Sequence, residues 1–263
     1  MFKFCSLYSG SSGNSSFVQT NKTKLLVDCG ESAKKIVNSL SDIDIDIEDI
    51  DAILVTHEHV DHVKSLGTLS KKYNIPVYTN IETLEAMPEQ KNKIKTDNIH
   101  LFDYSKDFCI GDLQIHAFSI PHDAANPSAF NIFHNEKKIS IATDIGHITP
   151  EIKANLEKSA FLLLESNYDL NTLKCSPYPY RLKERISGPL GHLSNNMAGK
   201  TISHLIDSGV RNVMLGHLSK ENNFPELAYK TVMEEIIYNN YPEDAINLSI
   251  ATRFKHTPII DVS

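Results

Sequence analysis

Short apolar runs recur along the chain, and most of them end at a turn or polar residue. Apolar runs and period-two alternation predict strands at 2–8, 16–20, 23–28, 52–56, 75–78, 99–102, 108–119, 128–133, 137–143, 161–165, 212–216 and 246–251. Apolar residues at helical spacing predict helices at 31–40, 63–73, 150–157, 195–208 and 224–239. Gly111-Asp112 interrupts one of these strands, and the acidic stretch 41–48 is interpreted as a loop anchored by isoleucines.

The order of these elements indicates a fold class. Strands dominate the first part of the chain, whereas helices and strands alternate in the last third. Such an order favours two packed sheets covered by helices. Because neither a linker nor an internal repeat divides the sequence, we expect residues 1–263 to form a single four-layer α/β domain.

Composition narrows the class of protein. The hydrophobic content of 41% is ordinary for a globular chain, and no apolar run is long enough to cross a bilayer. The start lacks the charged and apolar segments of a signal peptide, so we expect a cytoplasmic protein without a membrane partner. Four scattered cysteines show no paired spacing and suggest reduced, structural thiols. With 26 basic against 33 acidic residues, global charge gives no case for binding a polyanion.

The segment His57-Glu58-His59-Val60-Asp61-His62 is the strongest chemical signal in the sequence. It follows the apolar run 52–56, where a buried strand is expected to end. Alternate side chains of an extended segment point the same way, so His57 and His59 can converge on one ion. Asp61 and His62, at the start of the next helix, can reach a second ion. The spacing therefore predicts a site for two metals.

Three further candidates follow predicted strands. His122 comes after 115–121, Asp144 after 139–143 and His217 after 213–216. Functional loops commonly begin at such positions, although Asp and His also serve as turn residues and caps. Together with the histidine cluster, these three residues supply the ligands that a two-metal site would lack.

The HxHxDH segment, followed in order by His122, Asp144 and His217, resembles the metallo-β-lactamase superfamily. The resemblance runs over nearly the whole chain and implies an αββα sandwich. It implies that His57, His59 and His122 hold one divalent ion and that Asp61, His62 and His217 hold the other. Asp144 would bridge the ions, and Asp28 would orient the ligands from outside. Nitrogen-rich ligation favours zinc, with manganese or iron as alternatives.

Several other segments resemble the YycJ (WalJ) group within that superfamily. They are Ser9-Gly10-Ser11-Ser12-Gly13-Asn14-Ser15, Pro121–Pro127, Glu165-Ser166-Asn167, Gly191–Asn195 and Gly216–Lys220. The group is described as metal-dependent exonucleases of double-stranded DNA tied to replication and repair. This chain has Tyr168 where the group would have a histidine.

Glu165 and His192 resemble a carboxylate-histidine pair of ribonuclease Z, a relative that hydrolyses phosphodiesters. Such a pair can give a proton to an alkoxide leaving group near neutral pH. We therefore expect Glu165 and His192, together with Asp61, to act in catalysis. Two divalent ions balanced by Asp61, Asp144 and one hydroxide would retain about one positive charge, which suits a phosphodiester anion.

Candidate substrate contacts come from hydroxyl and amide side chains near these segments. They are Ser11, Ser12, Asn14, Asn126, Ser194 and Asn195. Two short basic clusters, 91–95 and 181–185, are possible local attractors of a polyanion, although such clusters are more often solvated faces. We expect a nucleic-acid substrate, with DNA favoured over RNA. Two alternatives stay open: a metal-dependent hydrolase of a small ester, thioester or lactone, and a binding module that keeps metal without catalysis.

Overall fold

The computed structural model describes all residues from 1 to 263. The strands are β1 Phe2–Tyr8, β2 Ser15–Thr20, β3 Lys24–Val27, β4 Ala52–Leu54, β5 Val77–Thr79, β6 Ile99–Leu101, β7 Phe108–Ile110, β8 Leu113–Ser119, β9 Ser128–His134, β10 Lys137–Ala142, β11 Phe161–Glu165, β12 Asn212–Gly216, β13 Asn247–Ile250 and β14 Ile260–Asp261. The helices are α1 Ala33–Ser41, α2 Val60–Val63, α3 Leu66–Tyr73, α4 Ile81–Ala86, α5 Pro88–Lys91, α6 Pro150–Leu156, α7 Leu170–Cys175, α8 Tyr180–Ser187, α9 Asn195–Ile206 and α10 Pro225–Tyr238. Short 3₁₀ helices lie at Ile47–Asp49, Thr96–Asn98 and Glu243–Ala245.

Contacts along the chain divide it into two compact units. The first comprises residues 1–119, 124–136 and 252–263, and the second comprises residues 120–123 and 137–251. Each unit contains helices and a set of parallel strands of its own. The expectation that residues 1–263 form a single domain stays a prediction.

The first unit is built on a sheet with the strand order β14-β1-β2-β3-β4-β5-β6. β3, β4, β5 and β6 are parallel neighbours, so their carboxyl ends meet at one edge. Leu26, Ile53 and Val77 are fully buried in its hydrophobic core. β7, β8 and β9 form an antiparallel meander in the same unit. The loop that follows β4 therefore starts at the edge where the parallel strands end.

The second unit contains the parallel strands β10, β11, β12 and β13 in that spatial order. β10, β11 and β12 are rich in buried aliphatic residues, as expected for strands covered on both faces, whereas the edge strand β13 alternates exposed and partly buried residues. α9 packs closely on α10 at Gly199. A Cβ at this glycine would lie 2.6 Å from the Cβ of Glu235. The carboxyl ends of parallel strands share one edge, which is the usual position of ligand sites in open α/β sheets.

The predicted strands are confirmed within about three residues at each end. The predicted helix at 63–73 is two helices, α2 and α3, and the segment 41–48 is a connection with Ile43 and Ile47 buried. The predictions omitted α4, α5, α7 and α8, which bury few side chains. Each of these helices has at most eight residues, so any apolar stripe is too short to predict it from the sequence. No helix in the structure combines the length and the apolarity that crossing a membrane requires.

Candidate metal centre

The first histidine group lies in the segment from His57 to His62, which is termed the His57–His62 loop and ends within the short helix α2. His57 and His62 are fully buried, and His59 is partly exposed. The ring centroid of His57 lies 4.6 Å from that of His59 and 4.1 Å from that of His62. The carboxylate of Asp61 lies 3.8 Å from His62 Nε2. Within the first unit, the loop thus gathers all four residues of the HxHxDH segment.

Asp28 and Thr56 fix which ring nitrogens of this group carry hydrogen. Asp28 Oδ2 accepts hydrogen bonds from Thr56 Oγ1 and His62 Nδ1, both at 2.7 Å. Because the Thr56 hydroxyl donates its single hydrogen to Asp28, it accepts at 3.0 Å from His57 Nδ1. Both imidazoles therefore carry hydrogen on Nδ1, which leaves Nε2 as the nitrogen suited to a metal.

Asn14 lies beside the metal-ligand candidates. Its backbone N–H donates to Asp61 O at 2.8 Å, and its amide Nδ2 lies 3.0 Å from His62 Nε2. Gly30 permits this close approach, because a Cβ there would lie 1.6 Å from Asp61 O. These contacts give Asn14 a role in holding the His57–His62 loop, whereas the sequence suggested a substrate contact.

The second group collects residues at the ends of three parallel strands in the second unit. Asp144 follows β10, Glu165 ends β11 and His217 follows β12. These residues and His192 bring ligand atoms within 4.8 Å of one another. His122 also belongs to the group, with its Nε2 3.7 Å from Asp144 Oδ1.

Glu165 is the organiser of this second group. Its Oε1 accepts hydrogen bonds from His192 Nδ1 at 2.8 Å and from His217 Nδ1 at 2.9 Å. Its Oε2 accepts from the backbone N–H groups of Ile145 at 2.8 Å and Leu193 at 3.0 Å. Burial alone would raise the pKa of this carboxyl, but the charge and the hydrogen bonds of His192, with the bond from His217, lower it to about 2. Glu165 is therefore an ionised, fully hydrogen-bonded carboxylate.

The pKa values of His192 and His122 are shifted in opposite directions. Burial lowers the pKa of His192, but the charge and hydrogen bond of Glu165 outweigh burial and raise it above the usual value. Burial lowers the pKa of His122, and its Nδ1 lies 3.0 Å from the carbonyl oxygen of Gly191. Since a carbonyl only accepts, His122 carries hydrogen on Nδ1. His122 is thus suited to bind a metal as a neutral ring, and His192 is suited to carry a proton.

Three residues of these groups have a left-handed backbone. The φ angles are 64° at Asp28, 62° at Asp144 and 55° at His217. Each follows a strand, and non-glycine residues seldom adopt this conformation without compensation from their surroundings. The strain turns the chain sharply as it leaves the strand, which holds the side chain near the end of the sheet.

The predicted substrate contacts have different surroundings. Ser11 and Ser12 are exposed, and the Asn126 amide donates to Glu82 Oε2 at 3.1 Å. Ser194 is buried and caps α9, and the fully buried Asn195 bonds Ser166 and Asn223. A substrate role for Ser194 and Asn195 therefore gains no support from their contacts.

Sequence reasoning missed two residues of the first unit. Thr56 joins Asp28 to His57, although a threonine at a strand end gives no distinctive signal. Arg253 donates to Ser11 Oγ at 3.3 Å, and its guanidinium carbon lies 2.8 Å from where a Cβ of Gly10 would be. The two segments are 242 residues apart along the chain, so no local pattern links them.

Tyr168 occupies a buried position close to Glu165. Burial raises the pKa of its hydroxyl, the charge of Glu165 raises it further, and a hydrogen bond with Ser194 opposes both. Its backbone carbonyl accepts from Asn195 N at 2.9 Å. The side chain is thus a neutral phenol at the margin of the second group.

A family model described as the beta-lactamase superfamily domain matches residues 23–218. The chain belongs to this superfamily. It is 39% identical over 237 residues to the exodeoxyribonuclease WalJ of Streptococcus pneumoniae serotype 2, covering 89% of this chain and 88% of that protein. It is 36% identical over 231 residues to the exodeoxyribonuclease YycJ of Bacillus anthracis, covering 88% of each chain.

Solved structures with the same fold are much more distant in sequence. The metallo-beta-lactamase fold protein YhfI of Bacillus subtilis has a TM-score of 0.70 at 16% identity, covering 98% of this chain and 99% of that one. The short form of human tRNase Z has a TM-score of 0.67 at 16% identity and covers 99% of both chains. These similarities confirm the predicted α/β fold of the metallo-β-lactamase type.

Proposed function

We propose that the chain is a metal-dependent 5′ exonuclease of double-stranded DNA that acts in replication or repair in the cytoplasm. The two exodeoxyribonucleases named above support the DNA substrate, because their similarity extends over most of both chains. The hydrogen bond between Glu165 and His192 at 2.8 Å is the observation that best supports hydrolysis of a phosphodiester. That pair can supply a proton to a departing oxygen.

The residues present fit two divalent ions. Four histidines have Nδ1 within 3.0 Å of an oxygen atom, which favours ligation through Nε2: His57, His62, His122 and His217. We propose that His57, His59 and His122 would hold one ion, that Asp61, His62 and His217 would hold the other, and that Asp144 would be a ligand of both. Zinc suits this donor set, and manganese or iron are alternatives.

Bound ions would supply Lewis acidity, which activates water for attack on phosphorus and stabilises charge on the phosphate oxygens. His192 then holds a proton on Nε2 for the leaving oxygen, because Glu165 accepts the hydrogen of Nδ1. The raised pKa of His192 keeps that proton available near neutral pH. Glu165 also keeps the His217 ring oriented, so one carboxylate supports both the proton donor and a ligand.

The Ser9–Ser15 loop offers contacts for the substrate backbone. Ser11 and Ser12 are exposed hydroxyls, and the guanidinium of Arg253 lies beside Ser11. Hydroxyl and guanidinium donors bind phosphate oxygens without reading the base sequence. Such contacts suit an exonuclease, which must accept every base in turn.

A panel of substrates tests the proposal. Metal-loaded protein is incubated with 5′- and 3′-labelled single and double strands, and separately with an ester, a thioester and a lactone. We expect stepwise release from the 5′ ends of duplex DNA, abolished by a chelator and restored by zinc or manganese. Fast thioester or lactone hydrolysis with all DNA and RNA intact would overturn the proposal. His192→Ala should keep its metal but lose most turnover, whereas loss of metal would make His192 a ligand.

A further inference from the structure

Helix α8 and the segment before it form a surface that the core does not require. α8 buries none of its eight side chains, and Tyr180 at its start is 74% exposed. A helix of this length without a buried face is stabilised little by its own residues. Residues that neighbour α8 in the chain must therefore hold the helix in place.

One of those neighbours is His192 of the second histidine group, and another, Gly191, contacts His122 of the same group. His192 N donates to Ile186 O at 2.8 Å, so the last turn of α8 is bonded directly to the candidate proton donor. The carbonyl of Gly191, in the same turn, lies 3.0 Å from His122 Nδ1. A Cβ at Gly191 would lie 2.2 Å from two carbonyl oxygens of α8, so the chain can fold back against the end of α8 only with glycine at this position. The helix is thus held rigidly beside the catalytic loop.

The charge of this surface is opposite to that of the whole chain. Residues 170–187 contain four basic side chains, Lys174, Arg181, Lys183 and Arg185, against the single acid Glu184. The chain as a whole carries a charge of −7. Arg185 is paired with Asp123 at 2.5 Å, and Lys183 Nζ donates to the Lys174 carbonyl at 2.7 Å. Arg181 is exposed and takes part in no ion pair.

Two tyrosines, one of them exposed, accompany the basic residues. Tyr178 and Tyr180 each follow a proline, and Tyr180 presents its ring to solvent. Prolines restrict the backbone on either side and so reduce the entropy lost when the rings make contacts. Cationic side chains that track phosphates, interleaved with rings that stack on bases, characterise surfaces that bind nucleic acid without sequence preference.

We propose that residues 174–185 are a nucleic-acid grip that feeds the strand end to the loop of His192. Arg181 and Lys183 contact backbone phosphates, and Tyr180 stacks on a base of the unpaired end. This inference rests on the proposed nuclease function and adds the surface that holds the substrate. The hydrogen bond from His192 N to Ile186 O links the grip directly to the proton donor.

The test compares DNA with a small phosphodiester across a range of salt. For Arg181→Gln with Lys183→Gln, we expect kcat/KM on labelled duplex DNA to fall about tenfold, mainly through KM, relative to bis-p-nitrophenyl phosphate. The slope of log kcat/KM against log salt should become shallower by about 2, since each lost phosphate contact removes about 0.9. Tyr180→Ala should weaken cleavage of overhanging ends several-fold, and Tyr180→Phe should restore it.

Lys93→Gln with Lys95→Gln is the matched control, because it removes the same charge from the exposed cluster at 91–95. We expect wild-type salt dependence from this control. A wild-type slope in the Arg181 and Lys183 variant, or an equal change in the control, would overturn the grip while leaving the nuclease proposal intact. Absence of DNA cleavage by the wild-type protein, with the small diester hydrolysed, would overturn both.

Discussion

The two histidine groups are held in different ways. In the first unit, His57 and His62 lie in one short segment, and Asp28 and Thr56, which follow β3 and β4, support them. In the second unit, residues from separate strand ends are tied together by the single carboxylate of Glu165. The residues of the first group are close because they are close in the sequence. The residues of the second group are held together by the buried carboxylate of Glu165.

This difference predicts different sensitivity to substitution. Loss of Asp28 removes the hydrogen-bond acceptor of His62 and of the Thr56 hydroxyl. The His57–His62 loop keeps other hydrogen bonds, including the one from Asn14 N to Asp61 O at 2.8 Å. Loss of the Glu165 carboxylate leaves two imidazoles and two backbone N–H groups without their common acceptor. The second group should therefore fail more completely.

The largest effect is expected for Glu165→Gln. The amide can accept on one side only, so its NH₂ group meets either the two imidazole donors or the two backbone donors. We expect DNA cleavage to fall about 10³-fold and the free energy of unfolding to fall by about 2 kcal/mol. Steady-state kinetics and urea denaturation measure the two losses. Near-normal stability with normal turnover would show that Glu165 does not organise the group.

Asp28→Asn should have a smaller effect, mainly on metal affinity. Asparagine tolerates the φ angle of 64° at this position, so the backbone is preserved. We expect the metal affinity to fall about 10- to 100-fold and the urea midpoint to fall less than for Glu165→Gln, because Asp28 accepts three hydrogen bonds and Glu165 accepts four. Competition with a chromophoric chelator gives the affinity. A loss of stability equal to that of Glu165→Gln would contradict the contrast between the two groups.

Thr56→Val tests the hydroxyl that joins Asp28 to His57. Valine keeps the shape of threonine but cannot accept the hydrogen of His57 Nδ1. We expect metal affinity to fall several-fold, less than for Asp28→Asn, and Thr56→Ser to retain most of it. The same chelator competition compares the three variants. Equal affinity for valine and serine would show that the hydroxyl is not needed.

The smallest expected effect is a change in thiol reactivity. Burial raises the pKa of Cys29 well above its usual range and that of Cys5 to about 11, whereas Cys109 and Cys175 are exposed. Only exposed thiols should therefore be alkylated quickly at pH near 8. Cys29 N donates to His62 O at 2.7 Å, so Cys29 reports on the His57–His62 loop.

Removal of metal should accelerate alkylation of Cys29 and leave Cys5 unchanged. The reason is that a loop freed from its ions opens more often, and only the thiol beneath that loop becomes accessible. Mass spectrometry of peptides after timed alkylation separates the four cysteines. Unchanged protection of Cys29 in the metal-free protein would show that the loop is held by its hydrogen bonds alone.

The sequence allowed much of this organisation to be predicted. The strands could be predicted because each is a short apolar run. Asp144 and His217 could be chosen as candidates because each follows a buried strand. The HxHxDH spacing identified the first group because all its members lie in one loop. The pairing of Glu165 with His192 was inferred from resemblance, and its distance of 2.8 Å agrees with that inference.

Other features could not be predicted from sequence for physical reasons. α8 has only two aliphatic residues, Leu182 and Ile186, and buries neither fully, so its apolar pattern is too short to predict a helix. The contact of Arg253 with Ser11 joins segments 242 residues apart, and the relay through Thr56 depends on hydroxyl geometry. The burial of Asn195 depends on Ser166 and Asn223, which meet it only in the folded chain.

The most direct test of the proposed two-ion site is the metal content of His59→Ala, His122→Ala and the double variant. Elemental analysis of the wild type should give two ions per chain. Because both histidines are proposed to hold the same ion, we expect each single variant and the double variant to retain one. Loss of a second ion in the double variant, beyond that in either single variant, would mean that the histidines serve separate sites and would contradict the proposed ligand set.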